Sequence, residues 1–431
     1  MDLKIKWISI SACLIAAIIL CAIIISGFIS RQNVEDEYRA KVQELLRETI
    51  NIFEEIRGFS LDDIEVEVVT ISWAKENWGR AYAEADKENI LREERIYKAL
   101  FMIPENASLY EAEIEWSGMI AAAVWQNKIY VVKEYFNPSD KFNAERTLIH
   151  ELTHLMQNRF SIPEIPTFDG EKAKSALIEG DACLMEEVYL NRTKEISFIT
   201  KIAEGKSSME YYGNFLLSIV SAALPDSISR LYYFPYEYGL KFVKALYAKG
   251  GWEAVNQAYQ NPPTTTEQIM HPEKYLVNET SNEVKAPLIA ERGWQKIKSE
   301  RFGEHFILVM LENWIPAVEA VRAAEGWGGD NFTYYEQGND YLFTWNITWD
   351  SVEDASEFVT LFRGMMAKTG AKEVEVGFWQ AYGRSLSIIW RGASAIIVSS
   401  TNETAIKNFL MGWDYSFAFT SNHIIKTISF T

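Results

Sequence analysis

Cysteine is scarce in this chain, with three residues among 431. Cys13 and Cys21 lie within an N-terminal apolar run, so Cys183 stands alone in the rest of the sequence. No disulfide can form within that larger part, which excludes a small domain held together by disulfides. A chain with 48% hydrophobic residues can instead be stabilised by its own core, even when it is exported.

Basic residues are also few, with 42 Lys and Arg against 60 Asp and Glu and a net charge of −18. Proteins that bind nucleic acids normally present a basic face, so we predict no nucleic-acid partner. The charged content of 24% is ordinary for a folded protein and argues against wholesale disorder. The length allows two or three domains.

The N-terminus departs from this composition. The run from Trp7 to Ile29 has 23 residues and no charge, which is enough to cross a bilayer. A cleaved signal peptide usually has an apolar core of about 7–15 residues followed by a small-residue cleavage site. A lipoprotein modified at Cys21 would need a small residue where bulky Leu20 stands. We therefore predict a retained transmembrane anchor within residues 1–32.

The charges around this run predict its orientation. Lys4 and Lys6 precede it, whereas the acidic segment 35–37 follows soon after it. The positive-inside rule places the N-terminus in the cytoplasm and the remaining chain outside. The prediction is a single-pass protein of the cell membrane with an extracytoplasmic domain.

The predicted fold class is α+β. Apolar residues at helical spacing dominate residues 33–325, and a hairpin expected within 118–136 adds a small β-sheet. A second major helix is expected over 172–190, and Gly250–Gly251 should break a later one. From 326 to 431 strands alternate with helices, which predicts a C-terminal α+β domain.

Histidine is also scarce, yet two of the five histidines lie four positions apart in "TLIHELTHLMQNRF", residues 147–160. On an α-helix His150 and His154 share a face and can bind one metal ion. Glu151 points to a neighbouring part of the helix surface, where it can act on a water molecule. The HExxH spacing therefore predicts a zinc site with Glu151 as the general base.

Catalytic zinc needs a third protein ligand. A metzincin would have Gly and His three and six residues after His154, where this chain has Gln157 and Phe160. That class is excluded, and a carboxylate on a downstream helix remains. We predict that Glu179 is this third ligand.

The neighbours of Glu179 support this assignment. Small residues at Gly180 and Ala182 would let the helix pack closely against the HExxH helix, and Asp181 can accept a hydrogen bond from a ligating imidazole. Such a bond would fix the imidazole tautomer. Glu186 and Glu187, one or two turns onward, are also candidate ligands, although replacing either with alanine is expected to do little. Cys183 shares the face of Glu179 and could bind zinc as a thiolate, but a buried structural cysteine is the commoner case.

A metallopeptidase also needs a donor for the oxyanion of its tetrahedral intermediate. His271 and Tyr275, in "HPEKY", are candidates for this role. A histidine that precedes proline in a tight turn is more often structural, so both interpretations of His271 stay open.

The HExxH motif followed by a glutamate on the next helix resembles the gluzincins, zincin-fold metallopeptidases that include thermolysin. The shared motif covers about residues 118–190. More widely, "EEIRG", "EGDA", "TEQIMHPEKY" and "GWGGD" look like motifs of uncharacterised prokaryotic membrane-associated proteins. The thermolysin pattern has an Asp four residues after the ligand Glu, where this chain has Cys183, so the residues that support the ligands must differ.

The resemblance implies a zincin-like domain over 33–325 that hydrolyses peptide bonds in a peptide or protein substrate. His150, His154 and Glu179 would hold Zn²⁺, and Glu151 would move the proton. The alternative is a zinc-stabilised, non-catalytic binding or assembly protein that acts through its C-terminal domain. The intact Glu151 favours the enzyme, because a scaffold does not need this residue.

Overall fold

The computed structural model describes residues 32–193, 224–287 and 293–418. Helices and strands are mixed across these ranges, which confirms the predicted α+β class. The helices are α1 (32–57), α2 (Lys87–Ala99), α3 (Leu109–Ser117), α4 (Lys141–Gln157), α5 (Phe168–Thr193), α6 (Asp226–Gln260), α7 (Thr266–Met270), α8 (Pro272–Leu276), α9 (Glu304–Glu312), α10 (Ala317–Ala324), α11 (Val352–Met366) and α12 (Glu403–Ala418). The strands are β1 (Val66–Val69), β2 (Ala122–Trp125), β3 (Lys128–Val132), β4 (Gln295–Glu300), β5 (Trp327–Gln337), β6 (Asp340–Trp349), β7 (Lys372–Glu375), β8 (Phe378–Ala381), β9 (Arg384–Arg391) and β10 (Ser394–Ser400). Short helices join β1 to α2: Ile71–Ala74, Lys75–Arg80 and Ala81–Ala85.

The predicted hairpin is present as β2 and β3. Gln126 and Asn127 form its turn, with φ values of 50° and 61° that match a tight two-residue connection. β3 also pairs in parallel with β1, so the sheet has the order β1-β3-β2 and β2 is an edge strand. Helix α4, which carries the HExxH motif, packs against β2 and β3.

A hydrophobic core holds α4 in place. Leu148, Leu152 and Leu155 are buried against apolar residues of α1, of the three-stranded sheet and of the end of α5. These three residues recur at helical spacing, so one face of α4 is buried in this core. The position of the motif is therefore set by packing on several elements.

Glycines set the closest helix contact near the site. A Cβ on Gly180 would lie 2.2 Å from the carbonyl oxygen of Gly239, and one on Gly239 would lie 2.1 Å from that of Ala176. The expectation that small residues bring α5 close to the HExxH helix is therefore wrong for Gly180, which meets α6 instead. Further along, α6 breaks at Gly250 and Gly251, as predicted.

The C-terminal strands form a seven-stranded sheet with the order β4-β5-β6-β10-β9-β8-β7. β4 pairs with β5, so the sheet begins upstream of the expected domain boundary at residue 326. Successive residues of β10 face opposite sides. Ile397 packs into a core with α11 residues, whereas Ile396 and Val398 pack against Ile406 of α12. Both faces of the sheet are thereby covered by helices.

This sheet shares its core with the preceding helices. One continuous apolar cluster includes Ile96 of α2, Leu109 of α3, Phe306 of α9 and Trp345 of β6. The C-terminal strands are thus packed directly onto the part of the chain that precedes them.

The predicted membrane anchor at 7–29 lies outside the described residues. Among the helices within 32–193, 224–287 and 293–418, none combines the length and the apolar character needed to cross a bilayer.

Candidate metal centre

Three predicted ligands come together between α4 and α5. Glu179 Oε2 lies 3.2 Å from His150 Nε2 and 3.5 Å from His154 Nε2. The two imidazole rings are 4.7 Å apart between centroids. The side chains are 14%, 18% and 21% exposed for His150, His154 and Glu179, so the cluster is sheltered but reachable from solvent. This group can hold a metal ion.

The spacing of these atoms fits a metal better than it fits hydrogen bonding. Glu179 Oε2 is buried and makes no aligned hydrogen bond, although both imidazole nitrogens are close to it. Ligand atoms about 2.0–2.1 Å from a tetrahedral zinc ion lie about 3.3 Å from one another. The two observed separations, 3.2 and 3.5 Å, bracket that value.

The other nitrogen of each imidazole already has a partner. His150 Nδ1 lies 2.7 Å from Glu186 Oε1, and His154 Nδ1 lies 2.8 Å from Gln157 Oε1. A carboxylate oxygen and an amide oxygen only accept, so both Nδ1 atoms carry the proton. Nε2 is therefore the nitrogen of each ring that is left to bind a metal, which would displace any proton that Nε2 carries beside Glu179.

Gln157 is itself held in one orientation. Its Nε2 donates to the carbonyl oxygen of Ile178 and to the hydroxyl oxygen of Tyr259, each at 2.9 Å. Its Oε1 must therefore face His154. Sequence reasoning missed this role, for which the only signal was a polar residue three positions after the second histidine.

Glu186 was considered only as an alternative ligand, so its contact with His150 was also missed. It lies seven residues after Glu179, two helical turns along the same face, and its other oxygen accepts from Arg146 Nη1 at 3.1 Å. His150, Cys183 and Glu186 also form a group that can hold a metal ion. The positive charge of Arg146 would repel a metal ion bound there. Burial also raises the pKa of the Cys183 thiol well above its ordinary value, so the thiolate that a metal requires is disfavoured. We therefore assign Glu186 to orienting His150.

The prediction for Asp181 needs correction. Its Oδ2 accepts from Arg57 Nη2 at 2.9 Å and from the Tyr259 hydroxyl at 2.5 Å, rather than from a ligating imidazole. Arg57 and Asp181 are both fully buried. Tyr259 in turn contacts Gln157, so Asp181 reaches His154 only through two intervening side chains.

Glu151 is buried beside the two histidines, with 4% of its surface exposed. Its Oε2 has no hydrogen-bond partner among the described residues. Burial raises the pKa of its carboxyl, and the neighbouring His150 and His154 only partly oppose this shift. A general base works best when its pKa approaches the operating pH, so the shift is in the direction that this role requires.

Glu179 has the opposite balance. Burial opposes its ionisation, but His154 and His150 hold its pKa well below the ordinary value. The carboxylate is negatively charged at neutral pH, as a ligand of a cation must be. The surroundings of these two neighbouring carboxylates thus shift their pKa values in opposite directions.

Tyr236 of α6 lies against the cluster. Its ring stacks on that of His150, with centroids 6.4 Å apart and 21° between the planes. Burial and the carboxylate of Glu179 raise the pKa of its hydroxyl well above the ordinary value, so it stays protonated and can donate. Sequence analysis did not single it out, because no local spacing links it to the HExxH motif.

The other two candidates lie in different contacts. His271 Nε2 is 3.1 Å from Glu304 Oε1, and the hydroxyl of Tyr275 donates to the carbonyl oxygen of Asn261 at 2.8 Å. Within the described part of the chain, neither makes a contact with the metal cluster. Their placement favours the structural interpretation of His271.

Comparison with known proteins adds one match. The family described as "Domain of unknown function (DUF8575)" matches residues 291–409. The matched segment contains the seven-stranded sheet and excludes all three cluster residues. The chain matches no curated protein sequence and no solved structure.

Proposed function

We propose that this chain is a zinc-dependent metallopeptidase of the gluzincin type. His150, His154 and Glu179 hold the metal ion, and Glu151 is the general base. The observation that carries the proposal is the convergence of two Nε2 atoms and one carboxylate oxygen, while both Nδ1 atoms are engaged elsewhere. Glu151 lies beside this group, and its Oε2 has no hydrogen-bond partner among the described residues.

The donor set favours zinc. Two imidazoles and one carboxylate are typical of catalytic zinc, which keeps a fourth position open. Magnesium and calcium prefer sites made of oxygen ligands alone. When bound by these three residues, zinc would act as a Lewis acid that lowers the pKa of a bound water molecule and polarises the carbonyl group of the substrate.

Side chains around the metal would carry out the proton transfers, orient the ligands and stabilise the oxyanion. Glu151 takes the proton of the attacking water and delivers it to the leaving amine. Glu186 and Gln157 keep both imidazoles in the tautomer that presents Nε2. The protonated hydroxyl of Tyr236 is suitable as a donor to the oxyanion that develops on the substrate.

The exposed edge of strand β2 is an argument for a peptide substrate. It pairs with β3 on one side only, and it lies in the sheet that packs on α4. An extended peptide can add to such an edge through main-chain hydrogen bonds. This arrangement would place a peptide alongside the helix that carries His150, Glu151 and His154.

The proposal includes an extracytoplasmic location. It rests on the uncharged segment 7–29 and on the lysines that precede it. The active site would then face the outside of the cell, attached to the membrane through one N-terminal segment.

A second candidate is a zinc-stabilised binding or assembly protein. The observation in its favour is that the family match covers the C-terminal sheet and leaves out the metal cluster. In that case the sheet would contact the partner and the metal would serve stability alone.

Glu151→Gln separates the two functions. If the chain is a peptidase, this variant retains zinc, measured by elemental analysis, and loses cleavage of a fluorogenic peptide library. Glu145→Gln is the matched control, because Glu145 is on the same helix and similarly buried but accepts from Tyr189. Absence of zinc from the wild-type protein, or cleavage that survives Glu151→Gln, would remove the peptidase proposal.

A further inference from the structure

A cavity of about 600 Å³ lies among α2, α3, α5, α6 and β4. Its volume is within the range of about 300–1,000 Å³ that small-molecule sites occupy. None of its lining residues belongs to the metal cluster. It nevertheless shares two helices with that cluster, because Lys172 precedes Glu179 on α5 and Tyr232 precedes Tyr236 on α6.

Lys172 projects its ammonium group into the aromatic part of this cavity. Nζ lies 5.5 Å from the ring centroid of Phe168 and 5.4 Å from that of Tyr232, within cation–π distance of both. No carboxylate of the described residues forms a salt bridge with Lys172. Burial lowers the pKa of its ammonium group, and the more distant Glu113 and Glu93 only partly offset this effect.

Glu113 is the corresponding acidic group. Its Oε1 accepts from the hydroxyl of Tyr232, and no cation of the described residues forms a salt bridge with it. Burial raises the pKa of this carboxyl, and the Tyr232 bond and the charge of Lys172 oppose the shift. Lys172 and Glu113 therefore both face the cavity with a poorly solvated charge.

The other charges at the cavity are already paired. Lys298 Nζ lies 3.1 Å from Glu93 and 3.2 Å from Glu300. Glu171 pairs with Lys174 at 3.0 Å. Lys172 and Glu113 have no direct ion-pair partner among the described residues, and they lie too far apart to form a salt bridge with each other.

The rest of the wall is apolar, with Leu109, Ile228 and Leu231 contributing to it. Tyr82 also lines the cavity and is 55% exposed, which marks the side open to solvent. A ligand that complements this wall has an apolar group. A ligand that also complements the two unpaired charges has a carboxylate to pair with Lys172 and an ammonium group to pair with Glu113.

We propose that this cavity binds a small zwitterion with an apolar side chain, either a free amino acid or a short peptide. Its carboxylate pairs with Lys172, and its ammonium group pairs with Glu113 and contacts the Tyr232 ring. The proposal goes beyond the peptidase function, because no residue of the metal cluster takes part. It can therefore hold whether or not the metal centre is catalytic.

Isothermal titration calorimetry on the full-length protein tests this binding. The probes are L-phenylalanine, the dipeptide Ala-Phe, N-acetyl-L-phenylalanine without the ammonium group, and phenethylamine without the carboxylate. The dipeptide is titrated into Glu151→Gln so that it is not cleaved. We expect at least one zwitterion to bind, and both single-charge analogues to bind at least about tenfold more weakly, since each forfeits a charge-assisted hydrogen bond.

Variants test the two residues. Lys172→Met and Glu113→Gln should each weaken binding of the zwitterion at least about tenfold. Lys241→Met is the control, because Lys241 lies on α6, is already paired with Glu237, and neither residue lines the cavity. Lys172→Arg keeps the charge and should retain part of the affinity if Lys172→Met fails to fold.

Three results would overturn the proposal. They are no heat of binding for either zwitterion at millimolar concentration, analogues that bind as well as the zwitterions, and affinities that both charge-removing variants leave unchanged. Binding of the amino acid alone or of the dipeptide alone supports the proposal and sets the length of the ligand.

Discussion

Glu186 Oε1 lies 2.7 Å from Nδ1 of His150, on the side of the ring opposite to the metal-facing nitrogen. Glu179 approaches that metal-facing Nε2 from seven residues earlier on the same helix. A single helix thus supplies both a candidate ligand and the group that would orient another. This contact gives Glu186 a possible role that the sequence did not indicate.

Glu186→Ala should lower zinc affinity by about 10–100-fold, the usual effect of removing a partner of a ligating histidine. Glu187→Ala, one position along, should leave the affinity unchanged, because Glu187 pairs with Lys244 on another side of the helix. Competition titration against a chelator of known affinity measures both. Equal losses for the two variants would contradict the assigned role of Glu186.

Glu179→Ala should reduce zinc affinity more than Glu186→Ala, since it removes a ligand rather than a group that orients one. Alanine has high helix propensity, so α5 should remain intact and the far-ultraviolet circular dichroism spectrum should be unchanged. The same chelator competition provides the comparison. Full retention of zinc by Glu179→Ala would mean that another residue completes the site.

Asp181→Ala should act on stability. The change leaves Arg57 buried without its carboxylate, and breaking a buried ion pair costs about 3–5 kcal/mol. The free energy of unfolding, measured in urea, should fall by that order. Zinc affinity should change less than in Glu186→Ala, because Asp181 touches neither ligating imidazole in the described structure. A larger effect on zinc than on unfolding would contradict this assignment.

Gly239→Ala should destabilise the protein, because the new methyl group would lie 2.1 Å from the carbonyl oxygen of Ala176 and would push α5 and α6 apart. Gly364→Ala is the control, for which we expect an increase in stability. That glycine is in the exposed part of α11 with no atom near its Cβ position, so alanine should stabilise by about 0.5–1 kcal/mol. Thermal unfolding followed by circular dichroism distinguishes the two.

His305 predicts a dependence of stability on pH. Burial lowers its pKa to about 3, whereas the ordinary value is 6.5. Because the unfolded chain binds the proton more readily, this group makes the folded state progressively less stable as pH falls from about 6.5 toward 3. The slope is at most about 1.4 kcal/mol per pH unit. His305→Leu should flatten the acid side of the stability profile, and an unchanged slope would contradict this account.

The cluster of candidate metal ligands could be predicted because the two histidines are local to each other in sequence. His150 and His154 are one helical turn apart, and that spacing brings two imidazoles together in any sequence that forms the helix. Glu179 followed from the need for a third ligand on the next helix. These inferences did not require knowledge of how the helices pack.

The residues that support the ligands depend on packing and could not be predicted in this way. Arg57 and Asp181 are 124 positions apart, and Tyr236 reaches His150 from a third helix. The sequence shows only that such residues exist. β4 was missed for a related reason, since its residues are mostly exposed or half-buried and lack the apolar alternation of an inner strand.

Helix α1 also fixes a distance. It runs without interruption over residues 32–57, about 39 Å for 26 residues, and ends at Arg57, which pairs with Asp181. In a chain held in the bilayer through residues 7–29, this rod limits how far the metal centre can stand above the membrane surface. If the proposed anchor and the proposed peptidase activity both hold, the metal centre would act within about 40 Å of the membrane surface, on peptide bonds close to the lipid.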